Sequence, residues 1–155
     1  MDNMTVQIKK VHPFAILPRY SHGSEEDSGM DLHVIEDYNL PPNIPCLVKT
    51  GVAIALPPGY EGQVRPRSGL ALKYGLTVVN SPGTIDPSYR GEIGVILQWN
   101  GYSREGNPKF FSIAKGDRIA QLIVAKYTGV EWVETDELSD TSRGTGAYAS
   151  TGVSS

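Results

Sequence analysis

No stretch of this chain carries the 3.6-residue apolar period of a long amphipathic helix. Its apolar residues come instead in short runs that alternate with polar ones, cut by 17 glycines and 11 prolines. Thr5 to Lys10, Cys46 to Leu56 with a bend at Gly51, Glu61 to Arg65, Phe110 to Ile113, Ile119 to Val124 and Val130 to Leu138 all read as strands. Turn signals separate them, the clearest being Pro57-Pro58-Gly59. Only Leu70 to Tyr74, bounded by Gly69 and Gly75, has a helical composition. Some nine or ten strands, roughly counted, with one helical turn define an all-β chain, a jelly roll or barrel-like sandwich. With 155 residues it forms one domain, 1–141, followed by a C-terminal arm, 142–155.

Within that frame the richest stretch is Val78 to Leu97. Apolar β-branched residues flank a turn-rich middle, which reads as two strands joined by an elaborated hairpin. An ordinary hairpin needs only a few turn residues. This one holds Asn80, Asp86, Tyr89 and Arg90 among glycines and prolines that fix the backbone. It is either a cup for a flat polar ring or a decorated surface turn, and the stretch alone does not choose.

Charge narrows the partners. A net charge of −3 offers no basic field for a long polyanion, so no nucleic-acid partner is expected and any phosphate must meet a local site. One cysteine, Cys46, excludes an intrachain disulfide, and three scattered histidines lack metal-ligand spacing. The first residues have no apolar core of signal-peptide length, and no run reaches transmembrane length. The expected setting is intracellular and cytoplasmic, with no membrane partner.

Four further places are candidates for a site. Ser68 reads as an N-cap, leaving backbone N–H groups beside Arg67; the alternative is a capped turn with Arg67 in water. Asp31 sits among apolar neighbours, either capping a turn or facing a site. Gln121 interrupts an apolar strand and needs partners in the core or on a ligand. The tail SRGTGAYASTGVSS is too poor in bulky apolar residues to pack. It is a disordered terminus or an arm that orders on a polyphosphate, since its glycines and hydroxyls supply donors.

Five segments together carry a resemblance. SGMDL (Ser28 to Leu32), RPRSGLALKYGL (Arg65 to Leu76), NSPGTIDPSYRGEI (Asn80 to Ile93), GDRIAQLI (Gly116 to Ile123) and RGTGAYASTG (Arg143 to Gly152) are similar, in order and spacing, to the motifs of the trimeric deoxyuridine triphosphatases. The likeness spans nearly the whole chain. It implies a jelly-roll-like homotrimer with active sites between subunits, converting dUTP and water to dUMP and pyrophosphate with Mg²⁺. That reaction keeps uracil out of DNA and supplies dUMP for thymidylate.

The resemblance also implies roles. Asn80, Gly83, Thr84, Ile85 and the facing Gly94 would read uracil. Tyr89 would lie against the deoxyribose and refuse a 2′-hydroxyl. Asp86 would hold the 3′-hydroxyl and act as general base. Arg67, Ser68 and Gly69 would bind phosphates, with Ser68 near the α–β bridge, and Gln121 would touch the phosphate chain or its water. Asp31 would reach Mg²⁺ through water. In the arm, Arg143, Ser150 and Thr151 would hold the β and γ phosphates, and Tyr148 would stack over uracil. Ala147 and Ala149 replace the glycines usual in the family, which bears on arm closure. Two rival readings remain: a dCTP deaminase-like or bifunctional enzyme of related fold, and a catalytically silent trimer with a regulatory protein partner.

Overall fold

The computed structural model describes residues 4–147. Among them the chain forms eleven strands and one short helix. In order they are β1 (Gln7–Lys10), β2 (Met30–His33), β3 (Tyr38–Leu40), β4 (Cys46–Lys49), β5 (Val52–Ala55), β6 (Tyr60–Arg65), α1 (Ser68–Tyr74), β7 (Leu76–Val78), β8 (Gly83–Ile85), β9 (Gly94–Trp99), β10 (Phe111–Ile113) and β11 (Arg118–Lys126). All-β architecture is therefore correct, as a jelly-roll-like β sandwich built from small antiparallel sheets. The largest runs β2-β11-β6-β8; a second runs β4-β9-β7; β1 pairs β5 and β3 pairs β10.

Alternation sets which side faces in. Along β9, Val95, Leu97 and Trp99 are buried while Gly94 is exposed. Trp99, Leu32, Leu40, Leu76, Ile93, Leu97 and Leu122 are the largest fully buried side chains, each contributing roughly 1.5–3 kcal/mol by leaving water. The indole N–H of Trp99 donates to the Tyr102 carbonyl at 2.7 Å, so its one polar atom is satisfied.

Several expectations change. Cys46 to Leu56 is not one bent strand. At Thr50-Gly51 the chain turns, with Gly51 at φ 71°, and β4 and β5 enter different sheets. The elaborated hairpin is real only in its outer arms: β7 pairs β9, but β8 between them leaves to pair β6. Val130 to Leu138 is not a strand among the described residues; Val130, Trp132, Val133 and Leu138 are all exposed. Ser68 is not the N-cap of α1. That position is Arg67, in extended backbone with no side-chain cap, and Ser68 is the first helical residue. The short link from β6 is still extended at Arg67, and the helix begins at Ser68 itself rather than one residue after it, as a serine cap would require. Gly75, left-handed at φ 63°, closes the helix as expected of a glycine after the last turn.

Candidate functional site

The first cluster of polar groups lies where β8 leaves the sheet. Ser81-Pro82 is a cis peptide, and the Asn80 side chain lies over Gly83, where a Cβ would come 3.2 Å from Asn80 Nδ2. Past Ile85 the chain makes a turn in which the Tyr89 amide donates to the Asp86 carbonyl at 3.0 Å. Arg90 Nη1 donates to the carbonyls of Pro87 and Tyr89, at 2.6 and 3.0 Å, and stiffens the turn. Asp86 is exposed, and the Tyr89 ring of the same turn is half-exposed.

The second cluster lies at the other end of the β2-β11-β6-β8 sheet. Asp31 on β2 faces Gln121 on β11, which faces Arg65 on β6. Arg67 Nε lies 3.2 Å from Asp31 Oδ1, and Arg118 Nη1 lies 3.1 Å from Asp31 Oδ2. Ser21 Oγ also donates to Asp31 Oδ2, and Arg67 Nη1 donates to the Arg118 carbonyl at 3.0 Å. Gln121 Nε2 donates to the Pro66 carbonyl at 2.9 Å, tying β11 to the Arg65–Ser68 corner. Two guanidiniums thus share one carboxylate, leaving a net positive charge in the cluster; Ser68 and Gly69, next in the chain after Arg67, are exposed. Asp31 is held by side chains rather than capping a turn, and Gln121 binds backbone rather than core.

His33 neighbours this cluster. Its Nδ1 is buried without a hydrogen-bond partner among the described residues. Burial pushes its pKa below the usual 6.5; Asp31 opposes that, while Arg118, Arg67 and Arg19 reinforce it.

The single chain does not bring the two clusters together. Gly83 lies opposite Val64 and Ile85 opposite Gly62, so the chain runs away from Arg65 as it approaches Asp86. Ile85 and Gln121 are two strand spacings and three residues apart, about 14 Å. Asp86 and Arg67 lie beyond them in opposite directions. Gly94 is on the other sheet, paired with Lys49. In the tail, Arg143 Nε donates to the Gly146 carbonyl at 2.8 Å, within its own turn. Tyr148, Ala149, Ser150 and Thr151 lie outside the described residues.

Sequence reasoning missed Arg118 and Gly29 as parts of the second cluster. Arg118 stood inside the GDRIAQLI segment, but only the β2–β11 register places it on Asp31. Gly29 leaves room for the Gln121 amide, since a Cβ there would run into Gln121 Oε1 and the end of that side chain would have to shift.

Among the described residues no group of three or more His, Cys, Asp or Glu side chains is placed to hold a metal ion. A single, half-buried Asp31 carboxylate suits a cation carried mainly by substrate phosphates, which keeps most of its waters. No helix among the described residues is long and apolar enough to cross a membrane.

Comparison with known proteins agrees with the geometry. The dUTPase family model matches residues 16–152. The deoxyuridine 5'-triphosphate nucleotidohydrolase of Solibacter usitatus is 51% identical over 152 residues, covering 98% of this chain and 99% of its own. The enzyme of the same name from Gloeothece citriformis is 50% identical, with the same coverage. Among solved structures, the Staphylococcus bacteriophage 80alpha dUTPase with dUPNHPP superposes with a TM-score of 0.86 at 28% identity, covering 97% of this chain and 100% of its own. A mutant dUTPase from phage phi11 of S. aureus, described with a structural Mg(II) ion, gives 0.77 at 26% identity, covering 86% and 98%. Full-length identity near one half, a family match across both clusters and a common fold lead to one conclusion: this chain belongs to the dUTPase family.

Proposed function

We propose that this chain is a dUTP diphosphatase, hydrolysing dUTP to dUMP and pyrophosphate, with the two clusters as halves of one composite site. The observation that carries the reading is the turn after β8. One turn carries both an exposed Asp86 and a Tyr89 ring anchored at its hydroxyl, with the Tyr89 amide bonded to the Asp86 carbonyl. Uracil sits at Asn80, Gly83, Thr84 and Ile85, with Gly94 at its rim, and Tyr89 lies against the sugar. Asp86 binds the 3′-hydroxyl and takes a proton from the water that attacks the α-phosphorus. The bond from that phosphorus to the α–β bridging oxygen breaks, and pyrophosphate leaves. Arg67, Ser68, Gly69 and Gln121 hold the phosphates, with Ser68 donating where leaving-group charge grows.

When bound with the triphosphate, Mg²⁺ supplies charge neutralisation at the phosphate oxygens, with Asp31 as the carboxylate that would hold one of its waters. The arm, 142–155, belongs to the same proposal: Arg143, Ser150 and Thr151 close on the β and γ phosphates, and Tyr148 covers uracil.

The roughly 14 Å gap supports a homotrimer with sites between subunits, because a general base must come within hydrogen-bond reach of the attacking water. The exposed apolar residues of 130–138 support it too. Action in the cytoplasm, where nucleoside triphosphates are made and used, completes the reading. The test is purified chain with Mg²⁺ and dUTP, dCTP or UTP, scoring pyrophosphate and ammonia. Pyrophosphate from dUTP alone, lost in Asp86→Asn, is expected. Ammonia from dCTP would mean a deaminase, and an inert wild-type chain would overturn the reading.

A further inference from the structure

Gly91 is a glycine that its backbone does not require. Unlike Gly51 or Gly75, it is not in the left-handed region, where glycine is favoured for conformational reasons. What excludes a side chain is the Tyr89 ring. A Cβ on Gly91 would run into Tyr89 Oη, and would lie 2.6 Å from Cζ and 2.9 Å from Cε2. The hydroxyl continues past Gly91 and donates to the Glu92 carbonyl at 2.9 Å.

Glu92 is itself fastened to the core. Its Oε1 accepts from the Gly51 amide at 2.8 Å, at the left-handed corner between β4 and β5. The next residue is clamped on the same corner. Ile93 N donates to the Val52 carbonyl at 2.8 Å, and the Ile93 carbonyl accepts from Thr50 N at 3.3 Å and Thr50 Oγ1 at 2.6 Å. Thr50 is 1% exposed, so this anchor sits in the core. The ring is thus half-exposed yet held at its hydroxyl end, through one carbonyl, to a buried corner of the fold.

We infer that Gly91 and Glu92 are positioning residues that set the sugar selectivity of the site, by fixing the height of the Tyr89 ring above the pentose. The inference rests on the reading that Tyr89 lies against deoxyribose. A ring able to swing outward could still cover a deoxyribose, but it would no longer exclude a 2′-hydroxyl. Rejection by clash works only as well as the clashing group is held. Gly91 lets the ring lie flat on the chain; Glu92 holds the carbonyl that its hydroxyl seeks.

The experiment compares kcat/KM for dUTP and for UTP in the wild-type chain and in Gly91→Ala, Glu92→Ala and Glu92→Gln, each checked for native mass and thermal midpoint. Gly91→Ala and Glu92→Ala are expected to lower the dUTP/UTP selectivity ratio at least about tenfold, mainly by raising turnover of UTP. Glu92→Gln keeps an oxygen acceptor for the Gly51 amide and is expected to stay near the wild-type ratio. A structural defect alone would lower both substrates together and leave the ratio unchanged. If either alanine variant folds and keeps the wild-type ratio, the inference is wrong. Should Gly91→Ala fail to fold, Glu92→Ala decides. A wild-type chain inactive on dUTP would overturn the underlying reading instead, which is a distinguishable result.

Discussion

Arg67 Nε lies 3.2 Å from Asp31 Oδ1, with the Asp31 side chain only 16% exposed. The same carboxylate receives Arg118 on its other oxygen, so one negative charge organises two positive ones. Replacing it by an isosteric amide removes the charge and keeps the shape. Asp31→Asn should lower stability by about 1–2 kcal/mol, more than an exposed pair is worth because part of this cluster is shielded from water. It should also raise KM for dUTP, since Arg67 loses the partner that aims it. Urea titration and steady-state kinetics check both; an unchanged midpoint with an unchanged KM would show the ion pairs to be incidental.

Gln121 and Gly29 form a second coupled pair. The amide donates to Pro66 with its oxygen in the space that Gly29 leaves open. Gln121→Leu strands the Pro66 carbonyl and should cost about 1–3 kcal/mol. Gly29→Ala forces the amide to move and should reproduce much of that loss. Because both changes break one interaction, the double variant should be destabilised by clearly less than the sum of the singles. Strict additivity in a double-mutant cycle would separate the two residues.

These relationships show what the sequence could and could not carry. Short apolar and β-branched runs between turn residues announced β6, β9 and β11, because strand composition is a local property of the chain. Gly75 closed the helix for a local reason too, since a left-handed closing residue favours glycine, whereas Gly69, expected to bound it at the other end, lies inside its first turn. Pairing is non-local. β8 sits in sequence between β7 and β9 but bonds to β6, and nothing in Gly83-Thr84-Ile85 names its partner. Arg118 has no local signature either; antiparallel register alone sets it on Asp31. The candidate site residues were named from the family resemblance of their motifs. Their division across a sheet was not readable, since distance between Asp86 and Arg67 is a property of topology.

His33 makes stability depend on pH. Burial holds its folded-state pKa below 6.5, and the positive charges of Arg118, Arg67 and Arg19 act the same way against Asp31. As pH falls through 6.5, the unfolded chain takes up a proton that the folded chain refuses. The unfolded state then binds more protons, so stability is full above that point and declines on acidification. His33→Gln should flatten this dependence. Thermal midpoints between about pH 7.5 and about pH 5.5, a window spanning the ordinary histidine value, should fall less in the variant than in the wild-type chain; parallel curves would assign the acid sensitivity elsewhere.

Trp132, Val133 and Leu138 are 92%, 83% and 90% exposed in the single chain. Exposed large apolar residues grouped in one short segment mark a surface that is covered in the assembled protein. Burying a tryptophan or leucine contributes roughly 1.5–3 kcal/mol each, enough for two of them to decide an oligomeric state at micromolar concentration. Trp132→Ala combined with Leu138→Ala should therefore shift the molar mass by light scattering from that of the proposed trimer toward that of a monomer. Because Asp86 and Arg67 of one chain face opposite ends of their sheet, the dissociated form should lose dUTP hydrolysis while keeping its β-sheet circular dichroism. Raising protein concentration should restore mass and activity together. A double variant that remains trimeric and fully active would exclude this segment from the subunit contact.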